Sequence, residues 1–194
     1  MLTNSSELPS RTALAAAALA SHCGAGASAI RQGLDRFAGL QRRLELVADN
    51  GSIAVVDDFA HHPTEVAAAL ATVRQIYPDR RICCVFEPHQ ASRTGRLLDD
   101  FASSLHNADK IVVAEVYRAR ESGEVPGGAT AAELAARLSE RGADTVHMLT
   151  YPEIERHVHD LLRPGDVLVT LGAGDIGTIA HGIGQGIREI RKAG

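Results

Sequence analysis

The chain has 194 residues, 45% hydrophobic and 23% charged, with a formal net charge of −4. That length can bury a real core, and the composition is that of a globular protein. The acidic balance argues against a nucleic-acid partner, which would need a basic face, and no uninterrupted apolar stretch reaches the roughly 18–20 residues that cross a membrane.

Residues 1–10 read as a frayed start. The alanine run in R-T-A-L-A-A-A-A-L-A-S could pass for a signal-peptide core, but the preceding M-L-T-N-S-S-E-L-P-S has no basic residue. Two helical patterns follow, Arg11–His22 and Ala27–Phe37, punctuated by Gly24 and Gly26. Then the texture changes. R-R-L-E-L-V-A at 42–48 suits an edge strand, and β-branched runs recur at 52–57, 81–86, 110–115, 145–149 and 166–171. Continuous apolar runs of this kind fit parallel strands covered on both faces. Stretches of helical length lie between them, at Thr64–Tyr77, Thr94–Asn107, Ala129–Arg141, Tyr151–Leu162 and Ile176–Lys192. The alternation predicts a Rossmann-like, doubly wound α/β fold, with a mostly parallel sheet of about six strands. A boundary near Leu40 separates residues 1–40, with their two helices, from a second domain over 41–194. Cys83 and Cys84 should point to opposite faces of one strand, and with Cys23 they form no C-x-x-C motif. The expected compartment is the reducing cytoplasm.

In such sheets ligands gather beyond the carboxyl ends of the strands. The polar residues fall there: D-D-F-A-H-H-P-T-E after the first strand of the domain, E-P-H-Q-A-S-R-T after the second, E-V-Y-R-A-R-E after the third and G-A-G-D-I-G after the last. The glycine loop satisfies G-x-G-x-x-G, but it lies on the final strand, with no following unit to supply a ribose ligand. An anion such as a substrate carboxylate suits its amides better than a dinucleotide. His61, His62 and His89 have no familiar metal-ligand spacing, so no metal is expected. Pro63 and Glu65 suit a helix start. Arg93, at a loop-to-helix transition, is placed to clamp a carboxylate.

D-D-F-A-H-H-P-T-E, E-P-H-Q-A-S-R-T and L-G-A-G-D-I-G, in this order and spacing, resemble the carboxy-terminal domain of the Mur ligases, which build the peptide stem of peptidoglycan. The similarity extends from about Leu14 to the last helix, and F-A-G-L-Q-R-R-L-E is similar to the end of the family's central ATPase domain. Residues 1–40 would then be a helical remnant of that domain. The branch that joins L-alanine to UDP-N-acetylmuramate, with a pattern near D-D-Y-G-H-H-P-T-E and F-Q-P-H-R-Y-S-R-T, is the most similar.

The resemblance implies ATP-dependent amide formation through an acyl phosphate, with Mg²⁺. It implies that His61, His89, Arg93 and Phe59, with the Gly172, Ala173 and Gly174 wall, hold the amino acid, and that Asp58 and Arg43 contact the nucleotide. Several positions depart from the pattern. Gln90 replaces a substrate arginine, Ala91 an aromatic and Phe59 a tyrosine, and D-D-F-A-H-H-P-T also occurs in the branch that recycles a murein tripeptide. No G-x-x-x-x-G-K-[ST] is present. The expectation is therefore the back part of a longer ligase, an excised domain or a truncated reading frame. It would carry no catalytic residue, bind no cofactor tightly and be inactive without the missing N-terminal and central domains. A stand-alone amino-acid or nucleotide-binding module is the alternative from another class, and a nicotinamide oxidoreductase rests on G-A-G-D-I-G alone.

Overall fold

The computed structural model describes residues 7–37, 39–123 and 125–193. Of the frayed start expected over 1–10, residues 1–6 lie outside the described residues, and the first helix already begins at Glu7. The chain divides into two compact units, Met1–Leu40 and Gln41–Gly194.

The first unit holds helices α1 (Glu7–His22) and α2 (Ala27–Arg36). Gly24, at φ 89°, reverses the chain after α1, and the Ala25 amide closes back on the Ala20 carbonyl at 2.9 Å. Small residues face one another across the pair: Ala16, Ala17 and Ala20 on α1, Ala29 and Gly33 on α2. No side chain of α2 is buried.

The second unit is a six-stranded sheet in the order β1-β2-β6-β3-β4-β5. Its strands are β1 (Glu45–Asp49), β2 (Ala54–Asp58), β3 (Ile82–Phe86), β4 (Lys110–Ala114), β5 (Thr145–Met148) and β6 (Val167–Leu171). Only β1 runs antiparallel, paired with β2 through a bulge between Leu46 and Ala48. The helices are α3 (Pro63–Ile76), α4 (Ala91–Arg96), α5 (Leu98–Ser104), α6 (Ala131–Glu140), α7 (Tyr151–Leu161) and α8 (Gly177–Ala193). Strand alternation splits the core in two. Cys84 and Phe86 join Leu70, Phe101 and Leu134 under α3, α5 and α6. Cys83 and Val85 join Ile154, Val158, Ile179 and Ile183 under α7 and α8. Each fully buried aliphatic or aromatic side chain contributes about 1.5–3 kcal/mol. Both strand cysteines are buried, free thiols, and Cys23 is exposed.

Strand order sets the site. The chain passes from β2 over β6 to β3, and after β5 it returns through α7 to fill the gap between β2 and β3. The connections diverge there, which opens a crevice at the carboxyl ends of β2, β6 and β3.

Three elements differ from the sequence expectation. The single helix expected over 94–107 is two, broken at Leu97 (φ −115°, ψ 23°). Segment 127–129 runs so close over α4 that Gly95 has no room for a side chain, and the Ala129 amide bonds the Ala91 carbonyl at 2.9 Å. The edge strand begins at Glu45, not 42, because Arg42 (φ 53°) and Leu44 (φ 48°) are in a left-handed turn. β5 is only half-buried, as an edge strand covered on fewer sides.

Candidate amino-acid site at the sheet rim

The β2 loop is built around its helix. His62 is the N-cap of α3, its Nδ1 accepting from the Thr64 amide at 3.4 Å, and Pro63 takes the first helical position. Glu65 reaches back to accept from the His61 amide at 3.2 Å. His61 is thereby held outside the helix with its Nδ1 on the Phe59 carbonyl at 2.9 Å, a bond that leaves Nε2 as the other ring nitrogen. The Phe59 ring lies 5.3 Å from the His61 ring, edge to face, and the Arg42 and Arg43 guanidinium groups stand 5.1 and 5.6 Å from its centroid.

The β3 loop supplies the second half. Gln90 adopts φ 67°, and Glu121 caps α4 by accepting from the Ala91 amide at 2.6 Å and the Ser92 amide at 3.2 Å. The β4 loop joins it through a one-residue bridge. Tyr117 donates its amide to the Pro88 carbonyl at 2.8 Å and accepts from the Gln90 amide at 2.9 Å. The Tyr117 and His89 rings therefore stack, 5.7 Å apart at 23°. His89 meets His61 across the rim, with centroids 5.4 Å apart, and its Nδ1 lies 3.4 Å from an Arg93 guanidinium nitrogen. Burial, then the Arg93 charge, then His61 hold the His89 pKa below 6.5. Phe59, His61, His89 and Arg93 form one continuous row.

Asp58 is turned away from that row. Its carboxylate is 6% exposed and accepts from the Leu44 amide and from the Ala60 amide, each at 2.7 Å. Burial raises its pKa against the downward pull of those two amides and of Arg43. Arg43 itself is exposed.

The glycine loop lies between the two halves and is held by Arg42, which the sequence suggests only as one of a surface pair with Arg43. The Arg42 Nε pairs with Asp57 at 3.0 Å, and its two terminal nitrogens donate to the Gly174 carbonyl at 2.8 Å and the Gly172 carbonyl at 2.6 Å. Asp57 is fully buried, with its other oxygen accepting from the Thr170 hydroxyl at 2.5 Å. A sequence signal existed: a carboxylate placed inside a buried strand calls for a cation. The Gly172 amide is engaged too, with the Asp58 carbonyl at 3.2 Å. Glu45, Asp57 and His181 bring ligand-type atoms within 4.8 Å of one another, but Arg42 already engages both carboxylates, Asp57 through Nε and Glu45 through its amide.

The fold and the rim define a Rossmann-like α/β domain that gathers cationic and imidazole side chains beside a pinned glycine loop. Residues 42–174 match the family described as Mur ligase, glutamate ligase domain, and the chain belongs to that family. It is 42% identical over 167 residues to the UDP-N-acetylmuramate–L-alanine ligase of Salinibacter ruber, covering 86% of this chain and 35% of that protein. The chain thus spans about a third of the length of such relatives. Its structure matches the crystal structure of the UDP-N-acetylmuramate–alanine ligase of Thermotoga maritima at a TM-score of 0.77, with 25% identity, over 98% of this chain and 39% of the other. A murein peptide ligase from Psychrobacter arcticus matches at 0.61 with 26% identity, over 92% and 36%.

Proposed function

We propose that this chain is the amino-acid-capturing, C-terminal part of an ATP-dependent UDP-N-acetylmuramate–L-alanine ligase of cytoplasmic peptidoglycan synthesis. The observation that carries this reading is the row His61–His89–Arg93 beside the loop 172–174. Arg93 offers its guanidinium to the amino-acid carboxylate, and the Nε2 of His61 is an acceptor for the amino group. Phe59 and the Gly172–Ala173–Gly174 backbone wall the pocket. Arg43, exposed beside Phe59, would face the phosphates of ATP, and Asp58, which orders the 42–44 turn, supports that side. ATP and Mg²⁺ would be held largely by the upstream domains, because the 194 residues contain no P-loop. Residues 1–40 would belong to the central ATPase domain. The muramyl carboxylate would be activated as an acyl phosphate there, and this module would deliver the amine and exclude water.

The murein-tripeptide branch shares the D-D-F-A-H-H-P-T motif, but the higher TM-score and the downstream S-R-T favour the alanine branch. A pyrophosphate on G-A-G-D-I-G is disfavoured, since the Gly172 amide that would face it is already bonded to the Asp58 carbonyl. The test is reconstitution. The chain supplied with the upstream ligase domains should release ADP only when UDP-N-acetylmuramate and L-alanine are both present. Calorimetric binding of NAD by the chain alone, at micromolar concentration, would overturn the reading.

A further inference from the structure

Glu87, immediately after β3, is 2% exposed, and nothing in the proposed capture of an amino acid uses it. One carboxylate oxygen accepts from the Tyr151 hydroxyl at the start of α7. The other, Oε2, is buried and lies against Gly174, facing its amide without a well-formed hydrogen bond. The nearby Arg42 guanidinium donates its bonds to Asp57, Gly172 and Gly174 and not to Glu87.

Glu87 also sets the height of the glycine loop. A side chain at Gly172 would come within 2.9 Å of the Glu87 Cβ, and one at Gly174 would collide with Oε2 and lie 2.7 Å from the Tyr117 ring. The Glu87 amide bonds the Leu171 carbonyl at 2.8 Å, so the loop is pulled by Arg42 from one side and rests on Glu87 at the other.

We propose that Glu87 is a positioning residue for amino-acid capture: held by the Tyr151 hydroxyl, it seats the 172–174 loop against the Tyr117–His89–Arg93 side of the rim. This rests on the ligase reading for its consequence, but not for its geometry. The groups facing Glu87 are Tyr151 on α7, Asp175 after β6, Arg42 before β1 and Tyr117 after β4. Burial dominates and raises the Glu87 pKa, Asp175 adds to this, and Tyr151, the Gly174 amide and Arg42 oppose it. The Tyr151 phenol is raised as well, by burial and by Glu87. Folded Glu87 thus holds its proton to higher pH than the unfolded chain, which releases it near 4.5. Its stabilisation is complete below that pH and is lost as pH rises through the folded value.

Two measurements on the 194-residue chain and its reconstituted ligase test this. In urea, the midpoint of the wild-type chain should fall relative to Glu87→Gln as pH rises from below 4.5 to neutral, with the amides of 172–175 exchanging faster. In the ligation assay, Glu87→Ala should raise the L-alanine KM about tenfold and leave the ATP KM within about twofold, and Glu87→Gln should restore most of the loss. Parallel pH profiles for wild type and Glu87→Gln would overturn the proposal, as would equal shifts in both KM values. An intact pH difference without ligation by any variant would support the seating of the loop and count against the ligase reading instead.

Discussion

Replacing Arg42 by Met removes three interactions at once: the ion pair with Asp57 and the bonds to the Gly172 and Gly174 carbonyls. Asp57, with no exposed surface, is left with the Thr170 hydroxyl alone. Breaking a buried pair from one side costs about 3–5 kcal/mol. The Arg42 side chain is 26% exposed, so water screens part of this, and about 2–4 kcal/mol is the expected loss. For a chain of this size that corresponds to a fall in Tm of about 5–15 °C. The assay is urea unfolding of Arg42→Met, Asp57→Asn and the double variant, with amide exchange over 172–175. If the stranded charge is the main cost, Asp57→Asn should return about 1–2 kcal/mol in the Arg42→Met background and cost stability on its own. A loss below about 0.5 kcal/mol for Arg42→Met would refute the clamp. So would simple additivity of the two changes.

Other outcomes follow from the same geometry. Gly174→Ala, whose Cβ would press on Tyr117 and Glu87, should lower stability by about 1–3 kcal/mol in denaturant unfolding. Thr150→Ala removes the capping box that orients α7, and hence Tyr151, and should cost about 1 kcal/mol by the same measurement. His89 has a folded pKa below its unfolded value of 6.5. Its contribution is therefore present above pH 6.5 and is lost as pH falls through the folded value; His89→Gln should flatten that part of the stability profile.

The strands were legible because β-branched runs such as I-V-V and V-L-V-T must be covered on both faces, and they became β4 and β6 in the parallel part of the sheet. The placement of four polar loops at one edge followed from strand direction alone. The meeting of His61, His89 and Arg93 at that edge was foreshadowed as well, since each closes a local motif that follows a strand. Arg42 and the Glu87–Tyr151 pair were not. Their partners lie 130, 132 and 64 residues away in the chain, and no local pattern marks a bond that only the strand order creates. Asp58, expected from its motif to contact the nucleotide, also has a structural part that the motif did not mark: its oxygens accept from the Leu44 and Ala60 amides. The break at Leu97 carries no helix-breaking residue of its own, and the close packing of segment 127–129 on Gly95 beside it is a long-range contact that the local pattern does not show.

The most direct measurement is saturation of the reconstituted ligase with L-alanine and, separately, with ATP, for wild type and Arg93→Ala. The rim as described requires the L-alanine KM to rise by about tenfold or more while the ATP KM stays within about twofold. An L-alanine KM unchanged by loss of the guanidinium beside His89 would contradict it.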